Sequence, residues 1–203
     1  PIKRSYPKVE LITLSPTEPL FILIKISLVF GLILASPVVL YQIWRFVEPA
    51  LYPNEKKLIL PITFFSIILF LLGGSFAYFA VLPIALKFLI GIGFSQLQAT
   101  PFLSVNLYVS FLLKMIVGFG LAFEMPIVLY LLQRAGIVTE EQLKSFRKYF
   151  IVIAFTVGAL IAPDVTTQVL MAIPLLLLYE ISILLGKLTK KKSKTKAIEV
   201  AQE

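Results

Sequence analysis

The sequence predicts an all-α polytopic membrane protein, built as a bundle of five kinked transmembrane helices. Of its 203 residues, 59% are hydrophobic and only 15% are charged, and the mean hydropathy is +0.94. These values lie outside the range of soluble globular proteins. Five apolar segments follow one another along the chain, and prolines interrupt four of them.

The five spans are predicted at about residues 16–44, 58–86, 104–133, 146–162 and 165–186. A helix needs about 20 apolar residues to cross ~30 Å of hydrocarbon at 1.5 Å per residue, and the first three spans meet this requirement. The last two are short. We therefore expect the fourth to include the amphipathic stretch LKSFRKYF before it, and the bilayer around both to be locally thinned.

Local signals refine this outline. The segment SPTE at residues 15–18 fits a capping box with proline at the first helical position, so the first span is predicted to begin there. Pro37, Pro83, Pro126 and Pro174 each remove one hydrogen bond from a helix backbone and are expected to kink it. A bundle of kinked helices of unequal length is expected to be cupped rather than cylindrical.

The basic residues predict the orientation. If the spans alternate in direction, thirteen of the 19 Lys and Arg residues fall on one side and four on the other. Since cytoplasmic loops carry the excess of positive charge, the side with thirteen is predicted to be cytoplasmic. Residues 1–186 then form one membrane domain that begins with an outer loop at residues 1–19. Residues 187–203 form a basic cytoplasmic tail, predicted to be disordered and attracted to anionic lipid.

The chain contains neither cysteine nor histidine. Disulfides and thiolate metal sites are therefore excluded, and zinc, haem and Ser-His-Asp chemistries lose their main side chains. We predict no catalytic site, no metal and no cofactor, so the protein is not expected to be an enzyme. Without an aromatic platform or a folded basic face, the lysine-rich tail is not expected to bind nucleic acid.

One acid lies deep inside the third span. Glu124 is nine residues before Gln133, about 14 Å from that end of the helix, and a charge near the bilayer centre costs roughly 2.5–3.5 kcal/mol. Lys114, about 15 Å away along the same helix, cannot pair with it. Two interpretations are open: a protonated side chain that only packs within the bundle, or a polar patch that receives a polar group from another transmembrane helix. Lys25, near the outer boundary, is expected to extend its ammonium group to the interface.

The last two spans are joined by the very short outer turn APDVTTQ, residues 162–168. Asp164 can cap the next helix through the amides of Thr166 and Thr167, or it can take part in binding, and the sequence leaves both open. Gln168 lies near the membrane edge, where it is placed to hydrogen-bond a neighbouring helix.

The loop after the first predicted span carries two acidic residues, although the protein as a whole is basic. It reads WRFVEPALYPNEKK from residue 44 to 57, and it contains Glu48 near the membrane and Glu55 beside two lysines. A carboxylate binds an arginine side chain through two parallel hydrogen bonds that an ammonium group cannot reproduce, so such a loop can distinguish arginine from lysine. On the residues alone, an ordinary solvated partner of Lys56 and Lys57 is the favoured interpretation of Glu55.

Five runs of sequence carry a family resemblance in a single order. They are SPTEPLF with Lys25, LASPVVLYQIWRFVEPALYPNEKK, GGSFAYFAVLP, FGLAFEMP and APDVTTQ. Together they resemble the TatC family, the receptor subunit of the twin-arginine protein translocase, over about residues 1–186. The resemblance implies six transmembrane helices with both ends in the cytoplasm of a prokaryotic inner membrane. Because this chain begins with Pro1 in a predicted outer loop, we expect the first cytoplasmic segment and first helix to be missing from it.

The resemblance also implies a function. Family members bind the Arg-Arg signal peptides of folded proteins and, with single-span partner subunits of the TatA and TatB type, export them by using the proton-motive force. We therefore expect this chain to bind such peptides, to assemble with those partners, and to form a homo-oligomer within a larger complex in the bilayer. The competing hypothesis, drawn from Glu124 and the kinked helices, is a proton-coupled solute transporter or channel.

Individual residues acquire roles through the same resemblance. Glu55 matches the loop glutamate that pairs with the signal arginines, and Phe46 matches an aromatic residue of the same site. Glu124 matches the intramembrane glutamate of a polar cluster that contacts a partner helix, with Gln168 as its companion. Asp164 matches the acid of the last outer turn.

Overall fold

The computed structural model describes residues 10–47, 59–95, 102–161 and 164–200. These residues form seven α-helices, one π-helical turn and two short strands. In chain order the elements are β1 (Glu10–Ile12), α1 (Glu18–Val47), α2 (Ile59–Phe76), the π-helical turn (Ala77–Val81), α3 (Leu82–Ser95), β2 (Phe102–Ser104), α4 (Val105–Phe123), α5 (Met125–Arg134), α6 (Glu140–Ile161) and α7 (Val165–Val200). The predicted helical class is confirmed.

Four stretches of the described chain are long and apolar enough to cross a membrane. They are Glu18–Val47, Leu60–Leu89, Val105–Arg134 and Val165–Lys187. The second stretch combines α2, the π-helical turn and α3, and the third combines α4 and α5. The remaining predicted span is α6, which has 22 residues and is therefore about 33 Å long. It reaches this length because it begins at Glu140 and includes the whole amphipathic stretch.

The start of α1 differs from the predicted capping box. The helix begins at Glu18, and its carboxylate accepts a hydrogen bond from the Leu14 amide at 2.9 Å rather than from the Ser15 amide. The reason is the turn that precedes the helix. The Glu18 amide donates to the Ser15 carbonyl at 3.1 Å, so residues 15–18 form a turn, and the carboxylate reaches back four residues instead of three.

The four prolines predicted to kink helices have different outcomes. The helical assignment runs through Pro37 in α1 and Pro174 in α7. Pro83 comes just after the π-helical turn, and Pro126 comes just after a break at Glu124 that separates α4 from α5. A proline removes one backbone hydrogen bond, and its ring crowds the carbonyl four residues earlier. The π-helical turn and the break are local departures from the α-helix that accommodate this crowding.

α5 and α6 are joined by a short turn with a cap on each side. Gly136 has a φ of +72°, a conformation that glycine adopts without steric cost, and the Ile137 amide donates to the Leu132 carbonyl at 3.0 Å. This bond is the long bond of a Schellman cap. Thr139 and Gln142 then bond each other reciprocally, each side chain accepting from the other's amide, as a capping box. One helix therefore ends and the next begins within a few residues.

The two strands pair in parallel, which the sequence analysis did not predict. Glu10 lies opposite Phe102, and Ile12 lies opposite Ser104. Three-residue strands are too short to show a periodic pattern. The pair fastens the segment before α1 to the segment before α4, where the Ser104 side chain accepts a hydrogen bond from the Leu107 amide at 3.4 Å.

α7 continues through Val200, whereas the sequence analysis predicted disorder from residue 187 onward. Residues 187–200 contain neither glycine nor proline. Lysine, alanine and glutamate have good helix propensity, so nothing in the covalent chain ends the helix at the predicted membrane boundary.

Buried side chains form three clusters between the helices. The first connects the π-helical turn and α3 to α4 and α7; its buried members are Ala77, Val81, Leu82, Leu86, Met115, Phe119 and Met171. The second connects α6 to α7; its buried members are Leu143, Phe150, Ala154, Ala172, Leu175, Tyr179 and Ile183. The third connects α1, α2 and α5 through Leu40, Trp44, Phe70 and Leu131. Most other apolar side chains of α1 are exposed, as expected for a helix that faces lipid.

α2 and α4 approach each other closely because glycines lie at the contact. A Cβ atom on Gly73 would lie 2.5 Å from the carbonyl oxygen of Phe119, and a Cβ atom on Gly120 would lie 2.8 Å from the ring of Phe70. Small residues allow membrane helices to pack with their backbones near each other. The contact therefore depends on the absence of side chains at these positions.

The same contact sets the register of the two helices. Phe70 lies against Gly120, and Gly74 lies against Ile116. Moving four residues forward along α2 thus corresponds to moving four residues back along α4, so the two helices are antiparallel.

Replacing Gly73 by alanine is expected to destabilise the protein by about 1–3 kcal/mol, because the added methyl group overlaps a backbone carbonyl of α4. Gly31→Ala is the matched control, since Gly31 lies within α1 and an added Cβ meets no atom within 4 Å. That change should be neutral or stabilising by up to about 1 kcal/mol through helix propensity. Thermal unfolding of the purified protein in detergent measures both variants, and equal melting temperatures would contradict the close approach.

Candidate functional site

Glu124 lies at the junction between α4 and α5, with φ −72° and ψ −21°. The junction exists because Pro126, in the first turn of α5, has no amide to continue the hydrogen-bond ladder of α4. The amides of Ile127 and Val128 donate to the Glu124 carbonyl at 3.1 and 3.0 Å. These bonds start the new helix immediately after the acid.

The Glu124 carboxyl group is buried without a partner. The residue is 7% exposed, and within the described ranges neither carboxylate oxygen has a hydrogen-bond partner. A buried polar group that lacks a hydrogen bond costs free energy. The same ranges hold no group of three or more side chains that would bind a metal ion. The arrangement is that of a polar acceptor inside an apolar bundle.

Ser66 faces Glu124 from the neighbouring helix. Continuing the register of α2 and α4 by one turn beyond the Phe70–Gly120 contact places Ser66 opposite Glu124. Ser66 is fully buried, and its hydroxyl interacts with the carboxyl group. The two groups are close, but the Glu124 carboxylate oxygens form no hydrogen bond with the described residues.

A third side chain extends this contact toward the end of α1. The indole Nε1–H of Trp44 donates to Ser66 Oγ at 2.8 Å, and both residues are buried. Trp44 lies in the last turn of α1, at the end predicted to be cytoplasmic. The Trp44–Ser66 bond therefore joins α1 to α2 beside the acid at the α4–α5 junction.

Phe46 lies two residues beyond Trp44 and has the opposite environment. It is 86% exposed, in the last turn of α1. Its neighbour Arg45 donates through Nη1 to the Tyr41 hydroxyl at 3.1 Å. The other predicted residue of this site, Glu55, lies outside the described residues.

Asp164 precedes α7 and acts as its cap, because Oδ2 accepts a hydrogen bond from the Thr167 amide at 2.7 Å. Gln168 follows in the first turn, where α6 and α7 pack closely: a Cβ on Gly158 would lie 3.2 Å from the Gln168 Cα. Gln168 is not hydrogen-bonded to Glu124, since that carboxyl group has no partner. The two residues predicted to contact a partner helix are thus not directly joined.

The two lysines within the spans have different partners. The Nζ of Lys25 donates to Asn106 Oδ1 and Ser110 Oγ of α4, both at 2.8 Å, and Asn106 lies in the first turn of α4, so the ammonium group stays near the predicted outer boundary. Two good acceptors within reach offset the cost of keeping the ammonium group half-buried. Lys114 donates to the Leu160 carbonyl at 3.5 Å, near the end of α6 where the helix dipole favours a cation.

The polar partners of Glu124 and Lys25 were not predicted from the sequence. Ser66 is a lone hydroxyl in the apolar run ITFFSII, and Asn106 and Ser110 are four residues apart on one helix face. Either feature is a signal of a polar contact. Neither feature identifies the helix that carries the group to which these polar side chains bond.

Comparison with known proteins identifies the family. A family model described as Sec-independent protein translocase protein (TatC) matches residues 1–174. The chain belongs to the TatC family. A TatC protein of Aquifex aeolicus (strain VF5) is 72% identical over 194 residues, covering 96% of this chain and 81% of that protein. A TatC protein of Helicobacter pylori (strain J99) is 43% identical over 188 residues, covering 92% of this chain and 74% of that protein.

A solved TatC structure has the same architecture. It is described as the crystal structure of the twin arginine translocase receptor TatC, and it superposes with a TM-score of 0.87 at 72% sequence identity. The match covers 93% of this chain and 83% of that chain. The predicted family and the helical membrane fold are confirmed.

Proposed function

We propose that this TatC chain is the receptor subunit of a twin-arginine protein translocase in a prokaryotic inner membrane. It binds the Arg-Arg signal peptides of folded proteins on the cytoplasmic side, where its own carboxyl terminus also lies. It assembles with copies of itself and with single-span partner subunits, and export is driven by the proton-motive force without catalysis by this chain. The solved relative described as a twin arginine translocase receptor supports this proposal.

The observation that carries the proposal is the buried, unpartnered carboxyl group of Glu124. Such a group in a transmembrane span is stabilised when a polar side chain of another helix bonds to it. Assembly with a single-span subunit supplies a group of that kind. Gln168, on the outer part of α7, is a second polar position for the same class of partner.

The signal-peptide site is proposed at the end of α1, with Phe46 and Glu55. An aromatic side chain that is exposed at a membrane boundary offers an apolar contact, and the carboxylate offers the planar acceptor that arginine prefers to share. An exposed ion pair contributes about 1 kcal/mol or less. The remaining affinity therefore comes from the apolar stretch of the signal peptide packed along the bundle.

The transporter hypothesis is not retained. It rested on Glu124 and on helix breaks, and both features occur here in a chain whose relatives are named as protein translocase proteins. Asp164 keeps a structural role as the cap of α7, and we assign it no contact with the peptide.

The Glu55→Gln variant is expected to lose about two- to fivefold of its preference for an Arg-Arg over a Lys-Lys signal peptide, because one exposed carboxylate is removed. Photo-crosslinking of the two peptides to the protein in membrane vesicles measures this preference. Glu48→Gln is the matched control, since it removes an acid from the same loop, and it should leave the preference unchanged. An unchanged preference in Glu55→Gln would show that Glu55 does not take part in recognising the signal arginines.

The Glu124→Ala variant is expected to bind the signal peptide normally but to recruit a single-span partner about fivefold less well, the effect of one lost polar contact between membrane helices. Crosslinking of the partner in the same vesicles measures recruitment. Glu180→Ala removes an exposed acid of α7 that pairs with Arg147, and it should recruit normally. Loss of peptide binding with unchanged partner contact would contradict the proposed division between the two sites.

A further inference from the structure

We propose, building on the function proposed above, that Trp44 and Ser66 are positioning residues: the Trp44 indole orients the Ser66 hydroxyl toward the Glu124 carboxyl group, close to it but without a formed hydrogen bond, until a signal peptide displaces the end of α1. We call Trp44, Ser66 and Glu124 the polar relay. Its members lie on α1, on α2 and at the α4–α5 junction. The relay would connect the peptide site to the partner-helix site.

The direction of hydrogen bonding fixes the role of Ser66. An indole N–H is a donor only, so in the 2.8 Å contact the Ser66 oxygen is the acceptor. A serine hydroxyl also carries one proton to donate. The group that the helix register places opposite it is the Glu124 carboxyl group, which has two unused acceptors. With the indole in place, the hydroxyl proton is directed toward that acid.

The position of Trp44 makes the relay sensitive to the cytoplasmic end of α1. Trp44 is 5% exposed and packs with Leu40, Phe70 and Leu131, whereas Phe46, two residues later, is exposed. Both lie in the last turn of one helix. Because a packed helix moves as a unit, a peptide that binds Phe46 and shifts this turn also moves the indole away from Ser66.

Glu124, at the junction, is the member of the polar relay whose side chain can change orientation. Pro126 removes one hydrogen bond from the ladder there, while the Glu124 amide and carbonyl keep their own bonds to Leu121 and Val128, so the part that can change position is the Glu124 side chain. With the relay intact, Glu124 faces the bundle and is 7% exposed. When the indole leaves, the Ser66 hydroxyl is free to rotate, and Glu124 can turn toward a partner helix.

Three variants test the relay in membrane vesicles that contain a single-span Tat partner subunit. Trp44→Phe removes the indole donor and keeps an aromatic ring in the cluster. Ser66→Ala removes the hydroxyl, and Ser66→Thr retains it as the conservative control. For each variant, crosslinking measures signal-peptide binding and, separately, recruitment of the partner with and without an Arg-Arg peptide.

The expected result is recruitment that no longer depends on the peptide. Trp44→Phe and Ser66→Ala should raise recruitment without peptide by at least about fivefold, the lower end of measured couplings between sites, up to the level seen with peptide. Ser66→Thr should behave as the parent chain does. Peptide binding should be unchanged in all three variants.

Two results would overturn the relay. One is a peptide dependence in Trp44→Phe and Ser66→Ala equal to that of the parent chain. The other is recruitment lost with and without peptide in Ser66→Ala but retained in Ser66→Thr, since Ser66 would then be part of the partner site itself. Failure of the parent chain to bind the peptide or the partner would instead refute the proposed function, so the two failures are distinguishable.

Discussion

The close approach of α2 to α4 is the contact on which the rest of the site depends. Gly73 and Gly120 leave room for a backbone carbonyl and an aromatic ring where side chains would otherwise stand. The register that results brings a serine of α2 to the level of the acid that ends α4. α1 then joins the pair through Trp44. A different spacing or register would leave Glu124 facing apolar side chains.

The chemistry of the site follows from this geometry and from one proline. Pro126 ends α4 early and places Glu124 at a junction, where its carboxyl group is buried near Ser66 without a formed hydrogen bond to the residues that the structure describes. Such a group lowers the stability of the isolated chain, and the surrounding packing must compensate. The proposed contact with a partner helix would give this buried acceptor a hydrogen-bond donor.

Sequence alone predicted the features that depend on one segment at a time. Hydropathy located the helices, the depth of Glu124 within the third span followed from a residue count, and five quoted runs indicated the family. The family and the helical fold are confirmed, while the roles given to Glu55, Phe46, Gln168 and Glu124 stay predictions. Contacts that depend on two segments were not predicted. Lys25 has acceptors on α4 that hydropathy cannot pair with it, and the strand pair joins segments about 90 residues apart with no local pattern.

The prolines and the tail show the same limit of reasoning from one segment at a time. The same residue type interrupts the helix at Pro126 and leaves the helical assignment continuous at Pro37, because the outcome depends on how the neighbouring helices pack. Composition predicted a disordered tail, yet nothing in residues 187–200 stops a helix that has already formed.

Chemical crosslinking of paired cysteines tests the central register most directly. The chain contains no cysteine, so Ser66→Cys with Glu124→Cys introduces only the two thiols of interest. A short bifunctional thiol reagent should join them readily. It should fail to join Ser66→Cys with Val117→Cys, because Val117 lies two helical turns before Glu124, about 10 Å away along the axis of α4. Efficient crosslinking at position 117 with none at position 124 would contradict the arrangement on which the proposed site rests.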